Sequence, residues 1–287
     1  MRRTFISTPV FAFAILSAIG CSSSSPASDP SGTGTGTKTE DTDGGSGAPT
    51  TKQRFVAEAA AEDSADWDGS PIRVESAGVA FAMSGGIRIV AVPGSTRVKA
   101  KARLLAMAFE KADADASLDD ARESFVIERR DGAIVVVCDH GGTHGWSSSQ
   151  ESGCEHIEVA VPAGTASMPL DMTVSNGNGE LTLELAGATI ARLDGRSKNG
   201  AVNAALSATK GGRITLLAEG GDDVTAKLPA DWAADEVILE GGEIANAFED
   251  VEAGPGAGGR GAPGTGLALL KLTSEEFAGL AGKLTLH

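Results

Sequence analysis

The sequence predicts an all-β protein: a β-solenoid of the single-stranded parallel β-helix type, with coils of about 22 residues and one short helix. Three observations point there. Four segments recur at almost even spacing: "SNGNGELTLEL" from Ser175, "SKNGAVNAALS" from Ser197, "EGGDDVTAKLP" from Glu219 and "EGGEIANAFED" from Glu240, with starts 22, 22 and 21 residues apart. Each has a glycine-containing turn and then an alternating strand, and each follows another alternating strand ("MTV", "IARLD", "ITLLA", "VILE"). The composition agrees, with 38 glycines, no tyrosine, and apolar residues mostly Ala, Val, Leu and Ile in short runs.

In the repeated units Gly177, Gly200, Gly220 and Gly241 mark the turns, where Asn-Gly and Gly-Gly are expected to supply positive φ. Inward Leu, Val and Ile would form ladders, with Thr, Glu, Lys and Asp outside. A β-meander or sandwich also uses Asn-Gly hairpins, and the even spacing decides for stacked coils. A fifth coil is read in "LALLKLTSEEFAGLAGKLTLH", beyond the Gly/Pro-rich 253–266. There Thr273 and Glu276 look like a capping box for a helical turn, and "KLTL" like the closing strand.

The first half reads as strands in "SPIRVES", "VAFAM", "GIRIVAV", "TRVKAKARLLAM", "FVIERR", "GAIVVVC" and "HIEVAVP". Between them "DADASLDDARESF" is a helix, with Ser117 and Asp120 as its N-cap signal and Leu118, Ala121 and Phe125 facing the sheet. Asp113 and Asp115 echo a calcium loop, but Leu118 replaces the glycine of its sharp bend and Ser124 fills its twelfth position.

The N-terminus sets the compartment. Arg2 and Arg3 precede an apolar run that is too short for a stable span and ends in "LSAIGC". This resembles a bacterial lipoprotein signal over residues 1–20, with Cys21 lipidated. An ordinary secretory signal is the alternative, and "RRTF" echoes a twin-arginine signal. Residues 21–53, rich in Ser, Gly and Thr, carry no apolar period and read as a flexible tether. Residues 54–287 are the repeat domain. Ser22 is not the Asp of an inner-membrane retention cue, so the expected location is the cell envelope, lipid-anchored to the outer membrane. The net charge of −15 excludes nucleic acid and anionic lipid as main partners.

"IEVAVPAG", "SNGNGELTL", "SKNGAVNAAL" and "AKLPADWAADEVILEGGE" resemble the bacterial putative-adhesin β-strand-repeat family, a domain of unknown function, over the chain from about residue 70. The resemblance implies a β-solenoid body and supplies no catalytic residues. The chain departs from the pattern at 138–156 and 253–266, and its third and fourth repeats lack the Asn before Gly.

The stretch "CDHGGTHGWSSSQESGCEH" holds two of the three cysteines and three of the four histidines. In an exported chain Cys138 and Cys154 are expected to form a disulfide closing a loop between two strands. The alternatives are zinc held by Cys138, His140, His144, Cys154 and His156, or free thiols. His140 and His156 are each two residues from a cysteine and should share its sheet face if the strand persists. After oxidation the histidines could still form a weak surface metal site; no cofactor is expected.

Enzymatic signatures are missing: no G-x-S-x-G, H-E-x-x-H or phosphate loop occurs. The reading is therefore a non-catalytic adhesin-like scaffold or binding module, whose partner is an envelope polysaccharide or protein and whose oligomeric state is left open. Two other classes stand beside it. One is a carbohydrate-active β-helix enzyme, with Asp194, Glu219, Asp222, Asp223 and Glu240 in a groove and Trp67, Trp146 or Trp232 stacking on sugar. The other is an envelope metal-binding protein.

Overall fold

The computed structural model describes residues 55–76, 86–138, 150–251, 257–278 and 280–287. Calls on Cys21, the signal, the tether, His140, His144, Trp146 and the strand "VAFAM" lie outside these residues. Along the chain come β1 (Phe55–Asp66), β2 (Ile72–Ser76), β3 (Gly86–Val92), β4 (Arg97–Ala108), α1 (Lys111–Ser124), β5 (Phe125–Arg130), β6 (Ala133–Cys138) and β7 (Gln150–Pro162). The second half adds β8 (Leu170–Asn176), β9 (Glu180–Glu184), β10 (Ile190–Ser197), β11 (Val202–Ala205), β12 (Arg213–Ala218), β13 (Val224–Lys227), β14 (Ala234–Glu240), β15 (Glu243–Asn246), β16 (Ala257–Arg260), β17 (Leu269–Ser274) and β18 (Lys283–Leu286).

Among the described residues the protein is all-β apart from α1, and the strands form two mixed sheets of nine. The first runs β1-β4-β7-β3-β9-β11-β13-β18-β15, the second β16-β14-β17-β12-β10-β8-β2-β6-β5. Pairing is parallel through the middle and antiparallel at β1–β4, β4–β7, β5–β6 and β14–β16. Alternation dictates the burial: β2 reads buried-exposed-buried, and β8, β9, β10 and β12 bury every second residue in much the same way. Inward residues of both sheets meet in one core, including Met172, Leu193 and Ile214 from one and Leu181, Val202 and Val224 from the other.

From β8 to β13 each strand of the second sheet is followed by one of the first, so β8/β9, β10/β11 and β12/β13 are three successive rungs. Their register runs close to the repeat but one residue short of it in the second sheet: Thr173, Asp194 and Thr215 lie side by side, as do Leu181, Val202 and Val224, whereas Ser175 faces Arg196 and Ser197 faces Ala218. Stacking in chain order stops there. The fourth repeat, β14/β15, does not sit on the third, because the C-terminal rung β17/β18 lies between them. At the other end, the first rung β2/β3 lies between β6/β7 and β8/β9. "KLTL" is thus an internal strand rather than a closing one.

Other expectations are corrected, and one strand is added that the sequence reading did not assign. The helix begins two turns before Ser117; the N-cap position is Glu110, with no side-chain cap bond, and Ser117 is buried mid-helix with Ala114 and Ala121. The Ala-rich β1 pairs with β4 along its full length, Phe55 opposite Ala108 and Asp66 opposite Arg97. The Gly/Pro-rich insert contributes β16, and residues 275–278 form a turn with a Phe277–Leu280 bridge instead of a helix.

Candidate binding surface

Because the rungs are parallel, every connection from the second sheet to the first leaves from one edge of the molecule. Along that edge lie the turns after β8, β10, β12, β14 and β17. The β2–β3 and β6–β7 connections start there too, and the histidine-bearing stretch belongs to the latter. The edge thus gathers the repeat turns and the ends of β2 and β6, Ser76 and Cys138, which the sequence keeps far apart.

A buried polar ladder supports it. Cys138, Ser76, Asn176 and Ser197 are register neighbours at the strand ends, and Ser274 holds the matching position beyond Ala218. All four polar members are buried. Asn176 Nδ2 donates to Gly179 O at 2.7 Å, and Ser197 Oγ donates to the same oxygen at 3.1 Å. Ser274 Oγ donates to Asp222 O at 2.7 Å and accepts from Gly282 N at 2.9 Å. These side chains satisfy corner backbone groups that would otherwise be buried and unpaired.

Among the repeat-turn glycines, Gly200 has positive φ, whereas in the first and third turns the positive φ falls on Gly179 and Gly221. Gly200 also leaves no room: a Cβ there would lie 2.2 Å from Gly179 O. Gly220 and Gly241 are held by close approach, to Lys198 O and to the Leu284 side chain. Gly177 donates its N–H to Ser76 O at 2.7 Å.

Cys138 and Cys154 are bonded, with their Cα atoms 6.1 Å apart, and tie β6 of one sheet to β7 of the other. Both are buried, and as a disulfide they offer a metal no thiolate. His156 does not share the face of Cys154. The register against β4 slips between Arg103 and Leu104, leaving Glu155 as an extra residue. That bulge reverses the alternation, so Cys154 points inward and His156 is exposed. No group of three or more His, Cys, Asp or Glu suited to a metal ion occurs among the described residues.

Three of the five carboxylates expected in a groove are engaged. Asp194 pairs with Arg192, and Glu240 with Lys271 at 3.0 Å. Asp223 accepts Lys283 N at 2.7 Å. Glu219 and Asp222 lie at the turn after β12, on the edge rather than on either strand face. Trp67 and Trp232 are both buried. Trp67 donates from Nε1 to Ser70 O at 2.8 Å, and Trp232 packs edge-on to Phe248 with Arg260 over both rings.

The outward face of the first sheet is laced by ion pairs. Arg88 reaches Glu158 at 2.8 Å and Glu184 at 2.9 Å, and the hydrogen bonds it donates to these two, Glu184 foremost, raise its pKa. Arg103 lies between Glu58 and Glu155, each at 3.0 Å, which raises its pKa likewise, Glu58 foremost. A row of Thr182, Asn203, Thr225 and Thr285 continues this face across successive rungs. Sequence reasoning missed the exposed Phe277 and Leu280 on the turn edge. The signal was present in "EEFAGLAG", where large apolar residues stand isolated among Gly, Ala and Glu.

No family model matches the chain, and no curated protein matches it. A solved structure does: a "putative cell adhesion protein" from Clostridium sporogenes ATCC 15579, at 11% identity and TM-score 0.50, covering 79% of this chain and 99% of that one. At this identity the likeness is one of fold, and it places the two mixed β-sheets in an architecture already seen in a solved protein.

Proposed function

We propose that the chain is a non-catalytic, adhesin-like binding module of the cell envelope. In this reading it is held at the outer membrane by lipid on Cys21, with residues 21–53 as tether and a β-solenoid-like body presenting its turn edge to an envelope polysaccharide or protein. The observation that carries the reading is the gathering of the repeat turns on one edge of the stacked strands, an arrangement suited to loops that bind. The adhesion name of the structural neighbour supports it, as does the engagement of Asp194 and Glu240 in separate ion pairs.

The test is immobilised protein probed with neutral and acidic polysaccharides and with envelope proteins. Saturable binding with no product formed is the expected result. Turnover that falls in Asp194→Ala or Glu219→Ala would establish the carbohydrate-active alternative instead. A blank across the whole panel would remove the binding reading. Separately, Cys21→Ser should move the protein from the membrane fraction to the soluble one.

A further inference from the structure

Phe277, 66% exposed, and Leu280, 74% exposed, are the most exposed large apolar side chains among the described residues. They flank one tight turn: Phe277 N donates to Leu280 O at 2.8 Å, and Leu280 N returns to Phe277 O at 3.0 Å. The turn is anchored on the corner beneath it, since Glu275 N donates to Ala218 O at 2.8 Å and Ser274 Oγ to Asp222 O. Glu275 and Glu276 are exposed immediately before Phe277, and Asp223 is exposed on the supporting corner. The result is an apolar knob with an acidic skirt, fixed to a rigid edge.

The opposite edge holds an apolar cavity of about 300 Å³, lined by Ala186, Ala205, Leu206, Lys227, Leu228 and Pro229. Its lining is apolar but for Lys227, which is exposed and lies within 4.0 Å of no carboxylate among the described residues. An apolar hole with one cation at its rim complements an apolar knob with carboxylates at its base.

We propose that the Phe277–Leu280 turn of one copy docks into the Ala205–Leu228 cavity of a second copy, with Glu275 and Glu276 facing Lys227. Knob and hole occupy opposite edges of the chain. The contact is therefore heterologous: the pair keeps one knob and one hole unused, and association continues beyond the dimer into an open row. The interface is small, so it is weak between free chains. Copies confined on one surface meet at a far higher effective concentration. The acidic skirt and the net charge of −15 oppose docking on an anionic bilayer.

The experiment is sedimentation equilibrium of the full chain carrying Cys21→Ser, from about 10 μM to about 1 mM, the range of effective concentrations a tether provides. The expected result is a mass that rises past the dimer and falls back with added salt. Phe277→Ala with Leu280→Ala should abolish the rise, and their exposure leaves folding intact, as an unchanged melting temperature verifies. Lys227→Glu should weaken association by about tenfold or more through like-charge contact with Glu275 and Glu276. Mixing that variant with a Glu275→Lys, Glu276→Lys chain should restore association between unlike copies only. A wild-type chain that stays monomeric throughout overturns the proposal. So does a rise indifferent to these substitutions, or a turn that binds phosphatidylcholine vesicles while the chain stays monomeric.

Discussion

The middle of the molecule and its two ends are built on different terms. From β8 to β13 the rungs follow chain order, and one pattern suffices: an inward apolar residue at every second position and a glycine where the backbone turns. Beyond them chain order and stacking order diverge, and particular residues close the structure. At one end these are the Cys138–Cys154 bond, α1 against β1, β4 and β7, and Arg129, which donates to Asp66 O and pairs with Asp68. At the other, Arg260 lies 4.9 Å from the Trp232 ring centroid and 4.5 Å from that of Phe248, and binds Asp250. A periodic stack needs only residue classes, whereas an interrupted one needs named partners.

The largest effect should come from a hole in the periodic part. Leu183 is fully buried, and a Cβ added at inward-facing Gly195 would lie 3.2 Å from its Cδ1. Leu183→Ala should cost about 2–5 kcal/mol in denaturant unfolding, since neighbouring rungs cannot close the gap without losing register. An unchanged midpoint would mean that the rungs repack independently. Removing the disulfide comes next. Its cysteines are 16 residues apart, and closing such a loop is worth about 3 kcal/mol in the chain-entropy model. Replacing Cys138 and Cys154 by Ala together should lower stability by about 2–3 kcal/mol. Hydrogen exchange should rise in β6, β7 and β4 while β8–β13 keep their protection. Loss of protection across β8–β13 as well would erase the distinction between end and middle.

The same division governs what the sequence reveals. Strands β8–β13 are legible because alternation and glycine spacing recur, and each unit repeats the evidence of the last. The order of the outer rungs is not legible. β17 offers β12 the same kind of alternating edge that β14 would, and short-range pattern carries no term for which one arrives. β1 was missed because its Ala and Glu are strong helix formers, and only pairing with β4 makes it a strand. Ser117 looks like a cap because serine is favoured there, yet it is buried in mid-helix. Of the turn edge, the glycine corners were readable. The gathering of distant segments and the Phe277–Leu280 knob required the topology, and the face of His156 turned on one extra residue at Glu155.

Arg260 should give a smaller effect than the disulfide. Arg260→Met keeps length but loses the cation over Trp232 and Phe248 and the bonds to the Trp232 and Ala230 carbonyls, a cost of about 1–2 kcal/mol. Its hydrogen bond is also the chief cause that lowers the Asp250 pKa. A carboxyl with a depressed folded pKa contributes stability above its unfolded value, about 3.9, and loses it as pH falls through the folded value. The melting-temperature gap between wild type and Arg260→Met should therefore be constant near neutrality and narrow below about pH 4. A gap that widened in acid would separate Asp250 from Arg260.

The smallest change in stability belongs to Arg88, and it bears most directly on how the outer rungs find their places. Arg88 stands on β3, the strand inserted out of chain order, and its two carboxylates come from the two strands it separates, Glu158 on β7 and Glu184 on β9. The other inserted rung repeats the device. Lys283 on β18 pairs with Glu243 on β15 at 2.7 Å, while its N–H binds Asp223 beside β13. The in-order strands β11 and β13 carry Asn203 and Thr225 in the register row of Arg88. Paired charges half in solvent contribute little, about 0.2–1 kcal/mol each. They do penalise every arrangement in which like charges meet, and so select a neighbour. Arg88→Met should accordingly cost no more than about 1 kcal/mol and less in 1 M salt. Arg88→Glu, set between two glutamates, should cost more than Arg88→Met and slow refolding into the native strand order. Equal stability and equal refolding rates for the two variants would show that β3 is placed by its apolar face alone.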